Sequence, residues 1–211
     1  MSSLTKVVPR ALAVMVAAAG LVACSGLRSS NPVTQVYPLQ PRFATPPAGG
    51  SAAPLAATLG VQLPLAVPGL ANNSIALLRP DGALDAYAAS RWPGELPEEL
   101  QPLIVQALRS AGHWANVQAE AGPFKSDYLL QVEIQQFTAV YAGDVHDSAP
   151  MVQVRLVATL GRRADRAVLK SYAIEESAPA GANRMGAVIA AFNRAAGAAL
   201  QRLAADAVPP P

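Results

Sequence analysis

The stretch SDYLLQVEIQQFTAV (126–140) alternates apolar and polar side chains, and the prediction of the fold starts from it. Its side chains divide between two faces, with Tyr128, Leu130, Val132 and Ile134 on one and Gln131, Glu133 and Gln135 on the other. A period of two is typical of a strand that is buried on one face and wet on the other. The stretch therefore predicts an antiparallel sheet with one dry face.

Segments with strand character lie on both sides of this stretch. Downstream, MVQVRLVATLGRR (151–163) and AVLKSYAIEES (167–177) alternate in the same way. Upstream, TLGVQLPLAVP (58–68) is a candidate strand, and SIALLRPDGALDAYAAS (74–90) predicts two strands around a Pro-Asp-Gly turn. The short segment HWANVQ (113–118) is a further candidate strand.

Two segments have the helical period instead. LPEELQPLIVQALRSAG (96–112) repeats apolar residues at i, i+3, i+4 and i+7, and Gly112 suits the position just past its end. ANRMGAVIAAFNRAAGAALQRLAADA (182–207) has one apolar stripe from Met185 to Leu203 and precedes three prolines. We therefore predict an α+β class, a single two-layer domain with a mainly antiparallel sheet and two amphipathic helices packed on one face.

The sequence offers few candidates for chemistry. His146 lies between Asp144 and Asp147, where a metal site or a hydrolytic His-Asp pair could be imagined. However, the segment AGDVHDS joins two strong strands, and its residue types are ordinary in hairpin turns. The sequence contains no phosphate loop, nucleophile elbow or zinc-protease motif. We predict no catalytic residue, no metal site and no enzyme activity.

Arg91 and Trp92 directly precede the first predicted helix. In one interpretation Trp92 packs over the helix start and Arg91 is solvated. In the other, both residues belong to a partner surface, because Trp and Arg are enriched at interface hot spots. The sequence leaves both interpretations open.

The N-terminal stretch AVMVAAAGLVACSG (13–26) contains the only cysteine, Cys24. A basic segment without acids, residues 1–10, precedes an apolar run at 11–23 that is too short to span a bilayer, which is typical of a secretory signal. Its end, Leu-Val-Ala-Cys, resembles the lipobox of bacterial lipoproteins. That resemblance implies cleavage between Ala23 and Cys24, with a diacylglycerol and an N-acyl chain on Cys24. Several acyl chains hold a protein stably on a membrane.

The predicted organisation follows from these segments. We expect a signal peptide at 1–23 and a flexible tether at 24–56, with a short edge strand at 34–39. The α+β domain would occupy 57–208, and 209–211 would be a disordered tail. Removing the signal takes Lys6 and Arg10 from 16 basic residues and leaves 14 against 14 acidic ones. A chain without excess basic charge gives no indication of a nucleic-acid partner.

The order of these features resembles the ABC-type transport auxiliary lipoprotein family, the family of paraquat-inducible protein C. The resemblance rests on the lipobox, on Tyr37-Pro38-Leu39, on Val67-Pro68-Gly69-Leu70, on Arg91-Trp92 and on the L-x-V-x-I-x-x-F strand from Leu130 to Phe137. It implies a non-enzymatic outer-membrane lipoprotein that faces the periplasm and has no cofactor besides its acyl chains. Ser25 after the cysteine fits that destination.

The resemblance also implies partners. Members of the family accompany transport systems with MCE-domain proteins, which move phospholipid or other hydrophobic molecules between the inner and outer membranes. We expect an outer-membrane adaptor that is held by its anchor and that contacts an MCE-domain protein and ABC or membrane components. Two alternatives stay open: a carrier that holds a lipid between its helices and its sheet, or an adaptor of another envelope assembly.

Overall fold

The computed structural model describes residues 33–43, 53–121 and 124–210. The predicted signal peptide, the Ala23–Cys24 cleavage site, part of the predicted tether and Pro211 lie outside the described residues. The described residues form nine strands and two helices. These are β1 Gln35–Val36, β2 Leu55–Val61, β3 Leu65–Ala66, β4 Ser74–Leu78, β5 Leu84–Arg91, α1 Leu96–Ala111, β6 Trp114–Ala119, β7 Tyr128–Val140, β8 Met151–Arg162, β9 Ala167–Pro179 and α2 Met185–Asp206.

Strand β7, the stretch from which the fold was predicted, lies at the centre of the sheet. One of its edges pairs with β8 antiparallel from end to end, and β8 pairs with β9 in the same way. The opposite edge of β7 is shared by β2, β3 and β4, which follow one another along it and all run parallel to it. Beyond these short strands, β6 pairs with β2, β5 with β4 and β1 with β5.

A β-bulge at Gln135 explains the irregular spacing inside β7. Ile134 pairs with Leu156 and Gln136 with Arg155, so Gln135 is the extra residue. A bulge adds one residue to a strand and changes which side chains point to each face. Ile134 and Phe137 are therefore both buried, although two residues separate them.

Helix α1 begins and ends as its sequence suggests, and α2 ends as its sequence suggests. Helix α1 has a proline in its first positions and Glu98 and Glu99 in its first turn, where acids interact favourably with the helix dipole. It ends at Gly112, whose φ of 71° is left-handed and strains any residue with a Cβ. Helix α2 ends where the Ala207 N–H bonds to the Leu203 carbonyl, shortly before the prolines.

The helices cover one face of the sheet, so the predicted α+β two-layer fold is confirmed. Helix α2 packs over β8 and β9, and α1 packs beside it over β6, β2 and β3. Buried side chains alternate along β7 and β8 on the face toward the helices, as the period of two predicts. The sheet is mixed, because β2, β3 and β4 join β7 in parallel.

The N-terminal segment 34–43 packs against the domain, in contrast to the predicted tether. Leu39 is buried, the Tyr37 N–H donates to the Arg91 carbonyl at 2.9 Å, and the Gln40 N–H donates to Asn193 Oδ1 at 2.7 Å. The short strand expected at 34–39 corresponds to β1. The compact unit therefore begins at Thr34 rather than at residue 57, because a buried leucine and two backbone hydrogen bonds hold this segment.

Candidate interaction surface

The structure places Arg91 and Trp92, the predicted partner surface, in different environments. The side chain of Trp92 is only 1% exposed, and the backbone N–H of Trp92 donates to the Asn73 carbonyl at 2.8 Å. A partner cannot contact a side chain that is buried in this way, so the partner-surface interpretation is wrong for Trp92. Arg91, the last residue of β5, is exposed, and its role as a partner contact stays a prediction.

Trp92 belongs to an aromatic trio that fills the space between the sheet and α2. Its ring centroid lies 5.3 Å from that of Phe192 and 6.0 Å from that of Phe137, both in edge-on arrangements. Phe137 and Phe192 stack at 5.1 Å. Such contacts add to the free energy of burial. The trio joins β7, α2 and the start of α1 in one core.

The segment around His146 is a turn held by hydrogen bonds between side chains and backbone groups. Asp144 Oδ1 accepts from the His146 N–H at 2.7 Å, which is an Asx-type turn contact. Asn183, just before α2, donates to the carbonyls of Val145 at 2.8 Å and His146 at 2.9 Å. Within the described residues, no group of three or more His, Cys, Asp or Glu side chains could hold a metal ion.

A chain of hydroxyl groups links this turn to the sheet. The hydroxyls of Tyr87 and Tyr141 are 2.8 Å apart, and the Tyr141 hydroxyl donates to Asn183 Oδ1 at 2.9 Å. Burial raises the pKa of Tyr87, and the hydrogen bond with Tyr141 raises it further. Tyr87 is therefore neutral at physiological pH, and the network holds the loop against the sheet.

The face of the sheet away from the helices carries an apolar groove. The groove lies where β3 ends after two residues and the chain leaves the edge of β7 before β4 joins it. It has a volume of about 390 Å³. Its apolar lining comes from Val67, Pro68, Leu70, Leu78 and Leu84, and its polar lining from Gln135, Gln136, Thr138 and Arg155.

A polar groove continues from it across β7, β8 and β9. The two grooves share Gln136 and Arg155. Arg155 pairs with Glu175 at 3.0 Å, and Gln136 Nε2 donates to Gln153 Oε1 at 2.8 Å. We call the two grooves together the open face. An apolar centre with a polar surround is the usual composition of a protein interface.

The sequence predicted a wet face on β7 but no groove in it. Of the residues expected on that face, Gln135 lines the apolar groove, whereas Gln131 and Glu133 line neither groove. The apolar groove is built by three separate strands and a loop, and no single segment shows it. The one signal in the sequence was Leu84, a large apolar residue shortly after the Pro-Asp-Gly turn. In the structure this leucine is 49% exposed.

The fold and its open face define a small α+β domain with a packed core and a groove on its surface. Neither described helix is long and apolar enough to cross a membrane.

Comparison with known proteins identifies the family. The model of the ABC-type transport auxiliary lipoprotein component family matches residues 37–206, and the chain belongs to that family. The family is one of envelope-associated lipoproteins that act with ABC-type transport systems. No curated protein matches the chain.

Two solved structures resemble the chain. A Xanthomonas campestris protein of the DUF330 family is 26% identical over 81% of this chain and 92% of its own, with a TM-score of 0.71. An uncharacterised protein is 17% identical over 74% of this chain and 95% of its own, with a TM-score of 0.57, and it shows the fold alone.

Proposed function

We propose that the chain is a non-enzymatic, lipid-anchored adaptor of an ABC/MCE-type transport system that moves phospholipid or other hydrophobic molecules between the two membranes. The match to the auxiliary lipoprotein family over residues 37–206 carries this proposal. The acyl chains on Cys24 hold the domain at the periplasmic face of the outer membrane, and the domain contacts an MCE-domain protein.

The packed core favours an adaptor over a lipid carrier. A carrier would need room for an acyl chain between the helices and the sheet. Trp92, Phe137 and Phe192 occupy that space and contact one another at 5.1–6.0 Å between ring centroids. Opening this space for an acyl chain would expose three aromatic side chains and lose the free energy gained by burying them.

The open face is the part of the domain that suits the protein partner. Its apolar groove can receive an apolar side chain, and Arg155, Gln136 and Gln153 on its rim can exchange their present hydrogen bonds for contacts to a partner. A buried apolar contact surrounded by polar groups is the arrangement in which interface hot spots occur.

Cross-linking in intact cells, followed by affinity purification in mild detergent, tests the proposed partner. We expect an MCE-domain protein and its ABC or membrane components to be recovered with the full-length chain. Recovery of cell-wall synthases or other assembly factors without MCE proteins would overturn the transport role and favour an adaptor of another envelope assembly.

A pair of variants tests the open face itself. Leu84→Glu places a charge in the apolar groove, and we expect it to reduce recovery of the partner at least several-fold. Phe124→Glu is the matched control, because Phe124 is also apolar and 75% exposed but does not line the groove. Equal recovery from both variants would show that the partner binds elsewhere.

The anchor is tested separately with Cys24→Ala. Acyl transfer requires the thiol, so we expect loss of labelling by a palmitate analogue and accumulation of an uncleaved precursor. Incorporation of the analogue into Cys24→Ala would contradict lipidation at this residue.

A further inference from the structure

The outer edge of β9 is the longest strand edge that the described residues leave without a neighbouring strand. β9 runs for 13 residues, from Ala167 to Pro179, and pairs only with β8. Unpaired strand edges present a row of free backbone groups that can pair with another chain. Two features at the ends of β9 disfavour pairing with another strand, a register shift near Val168 and a proline at position 179. The stretch between them is regular.

The side chains of β9 leave room for a second strand. Ser171, Ala173, Glu175 and Ser177 are exposed on the face away from the helices, and three of these four are small. Lys170 and Glu176 lie on the face toward α2, where they are partly exposed, with side-chain exposures of 37% and 28%.

The sequence of β9 is complementary to itself. If two copies pair antiparallel about Ala173, Lys170 of each copy lies opposite Glu176 of the other, and Tyr172 lies opposite Ile174. Opposite charges directly across an antiparallel pair are stabilising. Moving the register by two residues would place Lys170 opposite Ile174 or Ala178 and would remove both charge pairs.

The position of α2 is compatible with this pairing. Helix α2 packs over both β8 and β9, and Tyr172 donates to its Leu203 carbonyl at 3.0 Å. Neighbouring strands lie about 4.8 Å apart. Pairing of two β9 strands would therefore bring the two α2 helices side by side on the same face of the continued sheet.

We propose that β9 is a dimerisation edge, at which a second copy of this chain adds its own β9 antiparallel about Ala173 and continues the sheet. Lys170 now bonds to the Asp206 carbonyl at 3.0 Å, and Glu176 lies 3.4 Å from Arg202. Both side chains now lie beside α2, so the pairing requires each of them to turn toward the partner strand. The proposal does not depend on the identity of the transport partner.

Disulfide formation in intact cells tests the register. In full-length Ala173→Cys, the two introduced thiols would face each other, and oxidation should give a reducible dimer in at least severalfold excess over the wild-type chain with Cys24 alone. Ser177→Cys is the matched control, because position 177 is also exposed but would lie opposite Leu169. No dimer from Ala173→Cys, equal yield from both variants, or a cross-link to a different protein would overturn the proposal.

Charge reversal tests the pairing independently of new thiols. Lys170→Glu and Glu176→Lys should each reduce the Ala173→Cys dimer severalfold, and the chain with both reversals should restore it. Within one chain the two residues are six positions apart on a strand, about 20 Å, so restoration reports contact between copies. A double reversal that stays as low as the single ones would overturn the assigned register.

Discussion

The two edges of β7 are built in opposite ways. On one edge, β8 pairs over the full strand and is followed directly by β9, so that a single chain segment forms a continuous antiparallel ladder. On the other edge, β2, β3 and β4 cover only residues 128–130, 133–134 and 139–140 of β7. The continuous side provides regular strand pairing, and the interrupted side provides the groove.

The interrupted edge of β7 is where this fold leaves space for a binding site. A full ladder pairs the backbone groups between its strands, and the groove that crosses it is lined mainly by polar side chains. An interrupted edge leaves gaps between strands, and the loop residues Pro68 and Leu70 line one of them. Loops that run between rigid strands are common positions for binding residues.

The largest expected effect comes from the core shared by both sides. Phe137→Ala removes a side chain that is 1% exposed and contacts both Trp92 and Phe192. We expect a loss of about 3–5 kcal/mol in the free energy of unfolding, measured by denaturant titration. The control Val168→Ala, at an exposed position on β9, should change it by less than about 0.5 kcal/mol.

The same variant tests whether the two sides are one cooperative unit. Because β7 belongs to both, unfolding of Phe137→Ala should give one transition by circular dichroism and by tryptophan fluorescence. Two separate transitions would show that the β8–β9 ladder holds together without the interrupted side.

A pair of glycine variants compares the two sides directly. A Cβ on Gly60 in β2 would collide with the Glu120 carboxylate and lie 2.7 Å from Ser126 Oγ. These groups cannot move easily, because Ser126 donates to Glu120 at 2.9 Å and Arg163 pairs with the same carboxylate. We expect Gly60→Ala to lower the free energy of unfolding by about 1–3 kcal/mol.

Gly161→Ala in β8 is the matched change on the continuous side. The nearest atom to its added Cβ is the Ala167 carbonyl oxygen at 3.5 Å, which is an ordinary contact. Replacing glycine without strain stabilises a protein by roughly 0.4–1 kcal/mol through the unfolded state. Equal destabilisation by the two variants in denaturant titrations would show that both sides tolerate an added Cβ equally, in contradiction to this prediction.

The continuous side could be predicted from the sequence because each of its strands shows its own alternation. The pattern in 126–140 and 151–163 determines which face is buried, and short turns between strands favour antiparallel neighbours. The spacing I-x-x-F from Ile134 to Phe137 even indicates where alternation fails, and the structure shows a bulge there.

The interrupted side and the N-terminal segment could not be predicted to the same extent. Short apolar runs such as Leu55–Val61 and Leu65–Ala66 do not reveal which edge of β7 they join, nor that they run parallel to it. The segment 34–43 has one buried leucine, Leu39, among prolines and polar residues, and its packing depends on contacts with Arg91 and Asn193. For the same reason Trp92, adjacent to an exposed arginine, could be assigned to the core only from the structure.

The smallest effect at neutral pH concerns one tyrosine on each side of β7. Burial raises the pKa of Tyr87 in β5 and of Tyr172 in β9. In the unfolded chain tyrosine ionises near pH 10. Above that pH the unfolded state therefore binds fewer protons than the folded state, so the free energy of unfolding falls as pH rises.

We expect this pH dependence to become shallower when either hydroxyl is removed. Each fully buried tyrosine would contribute a slope of up to about 1.4 kcal/mol per pH unit, and these partly exposed ones contribute less because solvent screens them. Denaturant titrations between pH 8 and 11 should show a shallower decline in Tyr172→Phe and in Tyr87→Phe than in the wild-type chain. If only one variant flattens the decline, the other tyrosine is already solvated in the folded state.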